Sequence, residues 1–181
     1  YQYSRFAESI QREGGILLDE ISRANPTANN ILLPVLDGRR TLYIEDAIDE
    51  VEIELHKECA IWATANIGTK FIGTSMLDHA LLNRFHQVAV SYPPQEKESL
   101  LLQKVWGVSK RNADAVVSVA DTIRSHPDLS KDISTRQLIE IAELISDGYN
   151  PKEAFEWSVL QQFDSDRGDG GERQTVLSAI Q

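Results

Sequence analysis

Five side chains stand out as a set that could do chemistry: Asp19, Glu20, Asn66, Arg84 and Arg136. The first two follow Gly14-Gly15 and the apolar run Ile16-Leu17-Leu18, which stops abruptly at the acids. A short unbroken apolar run between breakers reads as a strand buried on both faces, the pattern of a parallel sheet. Adjacent carboxylates at its end are costly to bury unless a cation or a reaction uses them. Open α/β sheets keep their ligand crevice at the carboxyl ends of the strands. The bland alternative is a strand end whose acids face water or cap the next helix. A second apolar run, Ala60–Ala65, also ends in a polar residue, Asn66, which by itself could equally be a turn former. Arg84 punctuates a short helix and by itself fits a surface ion pair. Arg136 opens a later helix, where a cation opposes the helix dipole and so needs another reason.

The elements that must position these residues follow from periodicity. Residues 1–12 place Phe6 and Ile10 at helical spacing, with Tyr3 a turn earlier, and read as the end of an amphipathic helix with no N-cap before it. Ser22 to Pro26 is a turn, and Thr27 to Leu36 a helix ended by Asp37-Gly38. From Arg39 to Leu55 the period switches to two. Thr41–Ile44 and Val51–Leu55 form a hairpin with glutamates on its wet face, where solubility and edge protection are the preferred reading of the acids and a metal site the alternative. Ser75 to Phe85 is a short helix, with Gly68, Thr69 and Gly73 in the loop before it. Val88–Ser91 is a third sheet strand, stopped by Pro93-Pro94.

Beyond Gln95 strand patterns cease. Helices are predicted over 97–105, 112–125, 135–147 and 152–163, with Ser134 as an N-cap, Gly148 as a C′ residue and Asn150-Pro151 as a cap with an N1 proline. The expected organisation is an α/β part over 1–94 with a hairpin insert near 39–55, and an all-α part over 95–163. A polar linker and short last helix follow over 164–181.

Composition bounds the function classes. The 181 residues are 41% hydrophobic and 25% charged, ordinary for a globular protein. The net charge of −10 opposes non-specific nucleic-acid binding. The single cysteine, Cys59, excludes an intrachain disulfide and a C-x-x-C redox pair. No apolar run approaches the roughly 18–20 residues of a membrane helix, and the expectation is a soluble cytoplasmic protein.

Taken together, Gly-Gly-Ile-Leu-Leu-Asp-Glu-Ile-Ser-Arg-Ala-Asn-Pro at 14–26, Ala-Thr-Ala-Asn-Ile-Gly at 63–68, Leu-Leu-Asn-Arg-Phe at 81–85 and Ser-Thr-Arg at 134–136 resemble an AAA+ ATPase of the MoxR-like and dynein-related branch. The four strings look like its Walker B segment, sensor 1, arginine-finger helix and sensor 2. The resemblance implies a P-loop NTPase-type parallel sheet followed by a helical lid. It implies ATP and Mg²⁺ as cofactors, with Asp19 holding the metal through a water and Glu20 orienting the attacking water. Asn66 and Arg136 would contact the γ-phosphate, and Arg84 would reach a neighbour's site in a homo-hexameric ring. Arg23 stands open between a second trans-acting arginine and a local salt bridge. No Gly-x-x-x-x-Gly-Lys-Ser/Thr string occurs in the sequence. The resemblance places that phosphate loop, and one sheet strand lying between those at 60–66 and 86–91, upstream of residue 1. Three functions follow as expectations. The first is an ATPase that remodels or activates a protein partner. The alternatives are a nucleic-acid motor or restriction-type subunit, and a non-catalytic nucleotide-sensing ring module.

Overall fold

The computed structural model describes residues 4–44, 51–66, 77–163 and 171–180. The chain divides into two compact units, Tyr1–Ala89 and Val90–Gln181.

The first unit mixes strands and short helices. Helix α1 (Arg5–Ser9) has its own N-cap, since the Ser4 hydroxyl accepts from the Ala7 N–H at 3.3 Å. The helix therefore begins at its own cap rather than continuing a longer one through Ser4; Tyr3, which the expected longer helix includes, lies outside the described residues. Strands β1 (Gly14–Leu18) and β4 (Cys59–Ala63) pair in parallel, with Ile16 opposite Ile61 and Leu18 opposite Ala63. Strands β2 (Thr41–Ile44) and β3 (Val51–Glu54) form the expected antiparallel hairpin, with Leu42 and Ile53 buried opposite each other. Their connection, 45–50, lies outside the described residues, as does the glycine loop at 67–76. The hairpin closes over α1, burying Ala7, Ile10, Val35, Leu42, Ile53 and Cys59 together.

Four sequence expectations need correction here. The strand pair is covered on one face only: Leu17 and Trp62, directly opposite in register, are 61% and 67% exposed. Alternate residues of a strand point to opposite faces, and the described residues supply packing for the Ile16/Ile61 face alone. The segment 88–91 is not a strand, and Val88 and Val90 are 83% and 91% exposed. An apolar alternation becomes a strand only where a neighbour takes up its backbone groups, and the described residues offer none. The helix expected over 27–36 is broken into α2 (Pro26–Asn29), a 3₁₀ turn (Asn30–Leu32) and α3 (Leu33–Leu36). Pro34 has no N–H to give to the Asn30 carbonyl, so a regular helix cannot run through it. The short helix expected from Ser75 is a single turn, α4 (His79–Leu82), capped by the Asp78 carboxylate on the Ala80 N–H at 2.9 Å.

The regular elements of the second unit are, among the described residues, helices: α5 (Gln95–Trp106), α6 (Lys110–Arg124), α7 (Thr135–Ser146), α8 (Pro151–Val159) and α9 (Glu172–Ile180). Their apolar faces meet in one core, including Leu102, Val117, Ile123, Leu138, Ile141, Phe155 and Val176. Full burial of side chains of this kind stabilises by about 1.5–3 kcal/mol each relative to exposure. The predicted punctuation is present. Gly148 sits at φ 98, its N–H reaching the Ile145 carbonyl while Tyr149 reaches Leu144, the paired bonds of a Schellman end. Asn150 caps α8 through the Lys152 N–H at 2.9 Å.

Among the described residues of this unit, Glu98 and Arg124 form a buried ion pair. Arg124 Nη1 and Nη2 meet Glu98 Oε2 and Oε1 at 2.7 and 3.0 Å, with Glu98 1% exposed. No described helix is long and apolar enough to cross a membrane.

Candidate functional site

The two acids at the end of β1 are fixed by a residue on β4's extension. Thr64 donates its hydroxyl to Asp19 Oδ1 at 2.5 Å and accepts the Glu20 N–H at 2.8 Å. A hydroxyl has one proton to give, and the amide must donate, so the proton goes to the carboxylate. Backbone bonds continue the ladder around this point: Thr64 N–H to the Leu18 carbonyl and Ile21 N–H to the Thr64 carbonyl, both 3.0 Å. One step further, the Asn66 N–H reaches the buried Ser22 hydroxyl at 3.2 Å, and Asn29 Nδ2 supports the Ile21 carbonyl at 3.2 Å. Asp19, Glu20 and Asn66 are thereby brought together in one braced turn.

Glu20 occupies the left-handed region, φ 52 and ψ 45. For a residue with a Cβ this conformation is uncommon and costs on the order of 1 kcal/mol. The conformation turns the chain sharply from β1 into the 3₁₀ turn Ile21–Arg23. The Glu20 carboxylate pairs with Arg23 Nε at 2.7 Å, both side chains about half exposed. Arg23 is thus a local ion-pair partner in this structure.

Asp19 Oδ2 has no hydrogen-bond partner among the described residues. No group of three His, Cys, Asp or Glu side chains able to hold a metal occurs among the described residues either. A single free carboxylate oxygen suits Mg²⁺ brought in with a nucleotide, which keeps waters and takes one or two protein carboxylates besides phosphate oxygens.

Arg84 is tied within its own unit. Its Nε donates to the Leu33 carbonyl at 3.2 Å, Nη1 to the Ala80 carbonyl at 2.6 Å, and Nη2 meets Asp37 Oδ2 at 3.4 Å. Asp37 also accepts from Arg39 through its backbone N–H and through Nε and Nη2, at 2.9, 3.1 and 2.7 Å. These bonds, those from Arg39 foremost and that from Arg84 least, hold the Asp37 carboxyl well below its ordinary value of 3.8. A depressed carboxyl stabilises the fold above its unfolded-state pKa and loses that contribution as pH falls toward the folded-state value. In denaturant titrations of the full-length protein, the stability gap between wild type and Asp37→Asn is therefore expected to be flat above about pH 5 and to close in more acid solution. A gap that widens in acid would contradict the assigned bonds.

Arg136 lies in the second unit, in the first turn of α7. Ser134 caps this helix through the Gln137 N–H at 3.3 Å, and the Gln137 side chain returns to the Ser134 N–H at 2.9 Å, a complete capping box. Arg136 is exposed and has no partner among the described residues. Sequence reasoning missed Thr64 and Ser22, whose roles come from bonds spanning 45 and 44 residues. Thr64 carried one weak signal, a hydroxyl between alanines at the end of an apolar strand. It also read Asp37 only as a helix end.

Residues 98–179 match the family model for the CbbQ/NirQ/NorQ C-terminal region. Over 162 residues the chain is 33% identical to BssE of Thauera aromatica, provisionally named a chaperone, covering 88% of this chain and 55% of that protein. It is 28% identical over 158 residues to the denitrification regulatory protein NirQ of Pseudomonas aeruginosa, covering 86% and 60%. It is 26% identical over 134 residues to the gas vesicle ATPase GvpN of Ancylobacter aquaticus, covering 74% and 37%. The chain thus spans about half the length of the curated relatives it matches. It belongs to the MoxR-like AAA+ ATPase family, and its helical second unit is of the CbbQ/NirQ/NorQ C-terminal type.

Proposed function

We propose that this chain carries the hydrolytic acids, sensors and arginine finger of an ATPase that uses Mg-dependent ATP hydrolysis to remodel or activate a protein partner. The observation that carries the reading is the Thr64 bridge, which fixes Asp19 and Glu20 side by side at the carboxyl end of β1 and next to Asn66. A turn that merely ended a strand would not need the carboxylate of one acid and the backbone N–H of the next held by a single hydroxyl from the neighbouring strand. The names of the relatives support the rest: one is called an ATPase, one a regulatory protein and one a chaperone.

Phosphoryl transfer needs positioning and charge compensation more than covalent help from the protein. Mg²⁺, when bound with ATP, would supply charge neutralisation on the phosphate oxygens. Asp19 would hold it through a water by its free Oδ2. Glu20 would take a proton from, or orient, the attacking water. Asn66 would hydrogen-bond the γ-phosphate or that water, and Arg136 would meet the γ-phosphate. Arg84 would act in a neighbouring subunit's site, which makes the working form a ring, a homo-hexamer by analogy with the family. The nucleotide's remaining phosphate contacts would need a phosphate loop of the Gly-x-x-x-x-Gly-Lys-Ser/Thr kind, a string that the sequence given does not contain.

The reading is tested on the full-length assembled protein by measuring ATP turnover against Mg²⁺ concentration. Asp19→Asn keeps the shape and the bond to Thr64 and removes the charge. Its half-saturating Mg²⁺ is expected to rise by about 10–100-fold, the range for loss of an outer-sphere partner. An unchanged Mg²⁺ dependence would remove Asp19 from the metal site. No ATP turnover in the wild-type protein would overturn the hydrolytic reading.

A further inference from the structure

The ion pair inside the helical unit does more than fill space. Arg124, the last residue of α6, reaches Glu98 of α5 with both terminal nitrogens and gives its Nε to the Ile133 carbonyl at 2.7 Å. Glu98 Oε1 also accepts the Thr135 hydroxyl at 2.5 Å. Ile133 and Thr135 flank Ser134, the N-cap of α7, so the pair grips the chain on both sides of the cap. The Arg124 guanidinium lies over the Tyr92 ring, 3.8 Å from its centroid, extending the grip to the segment that leads into α5.

Stability by itself does not call for this arrangement. Replacing a buried ion pair by apolar residues of similar size is often neutral or stabilising, because desolvation offsets most of the attraction. Apolar residues, however, cannot grip a hydroxyl and a carbonyl at fixed positions. Among its contacts here, the charged pair gives two directional bonds to the start of α7. The next residue, Arg136, is exposed and unpaired among the described residues. A cation in a helix's first turn is disfavoured by the helix dipole and by itself settles there only weakly.

We propose that the Glu98–Arg124 pair is a clamp that positions Arg136 for nucleotide phosphate, with Glu98 and Thr135 as positioning residues acting through the first turn of α7. This inference rests on the ATPase reading and on Arg136 meeting phosphate. The ligand class is a nucleoside triphosphate with Mg²⁺. The clamp itself touches no ligand.

The test uses the full-length assembled protein and a fluorescent ATP analogue with Mg²⁺. Thr135→Val keeps the shape and removes only the hydroxyl that links Glu98 to α7. It is expected to weaken analogue binding about 10-fold, short of the ~10²-fold that an ångström of misplacement can cost. Thr135→Ser should restore binding. In an Arg136→Ala background, Thr135→Val should add no further loss. Glu98→Gln, which keeps size and weakens the grip, is the second variant and should show the same dependence on Arg136. Equal losses in both backgrounds, or wild-type binding by Thr135→Val and Glu98→Gln, would overturn the clamp and leave the ATPase reading intact. Wild-type binding by Arg136→Ala itself would remove Arg136 from the phosphate site, and the clamp's purpose with it.

Discussion

Exchange of Glu20 for Gln in the full-length protein is expected to lower ATP turnover by about 10²–10⁴-fold, the usual contribution of a general base, while ATP still binds. Gln keeps the length of the side chain and cannot accept the proton. The backbone N–H of residue 20 still has Thr64 to bond, so the turn itself should hold. The ion pair to Arg23 does not compete seriously with the chemistry. Both side chains are about half exposed, and exposed pairs contribute only about 0–1 kcal/mol. A barrier change of 10²–10⁴ corresponds to roughly 3–5 kcal/mol, so the pairing is readily given up when a water and a phosphate take its place. Phosphate release in the steady state measures the first half of the expectation, and a binding titration the second. Turnover within twofold of wild type would exclude Glu20 as the base.

Arg84→Ala is expected to cost more, about 10³–10⁵-fold in turnover if the residue acts as a trans finger, or roughly 4–7 kcal/mol of barrier. The structure shows a second consequence of the same change. Arg84 bonds the Leu33 and Ala80 carbonyls and Asp37, so its loss also loosens the contact between α3 and α4. Mixing subunits separates the two effects. An Arg84→Ala subunit has an intact Glu20, and a Glu20→Gln subunit has an intact Arg84. Co-assembled, they should recover activity that neither has separately, because some sites then combine a good base with a good finger. A local folding defect at Arg84 would not be repaired by a neighbour. No recovery from mixed rings that assemble normally would place Arg84 in a structural role only.

The sequence was most informative where the signal is local. Ser134, Gly148 and Asn150-Pro151 act within a few residues of themselves, and each caps a helix in the expected way. The hairpin at Thr41–Ile44 and Val51–Glu54 was legible for the same reason, since its alternation reports a half-covered pair of strands. Val88 and Val90 show the limit. Their alternation is that of a strand, but periodicity is a property of the segment and pairing a property of its neighbours. Pro34 was visible in the sequence, and its missing N–H outweighed the apolar spacing around it. In the candidate site the acids, Asn66 and the arginines were legible by type. The groups that hold them were not, because Thr64, Ser22 and Asp37 act on residues more than forty positions away. No local pattern in a sequence reports such a bond.

The left-handed backbone of Glu20 bears on how variants of this chain would fare under selection for stability. Glycine adopts that conformation at no steric cost, so position 20 is where a search for a sturdier fold would settle early. Stabilising substitutions often cost function where activity depends on a strained or exposed group. A library screened for resistance to heat would tend to discard Glu20, and one screened for turnover would keep it. Arg40 shares the left-handed conformation at φ 53, so a divergence of the two screens at residue 20 and not at residue 40 would mark Glu20 as retained for what its carboxylate does.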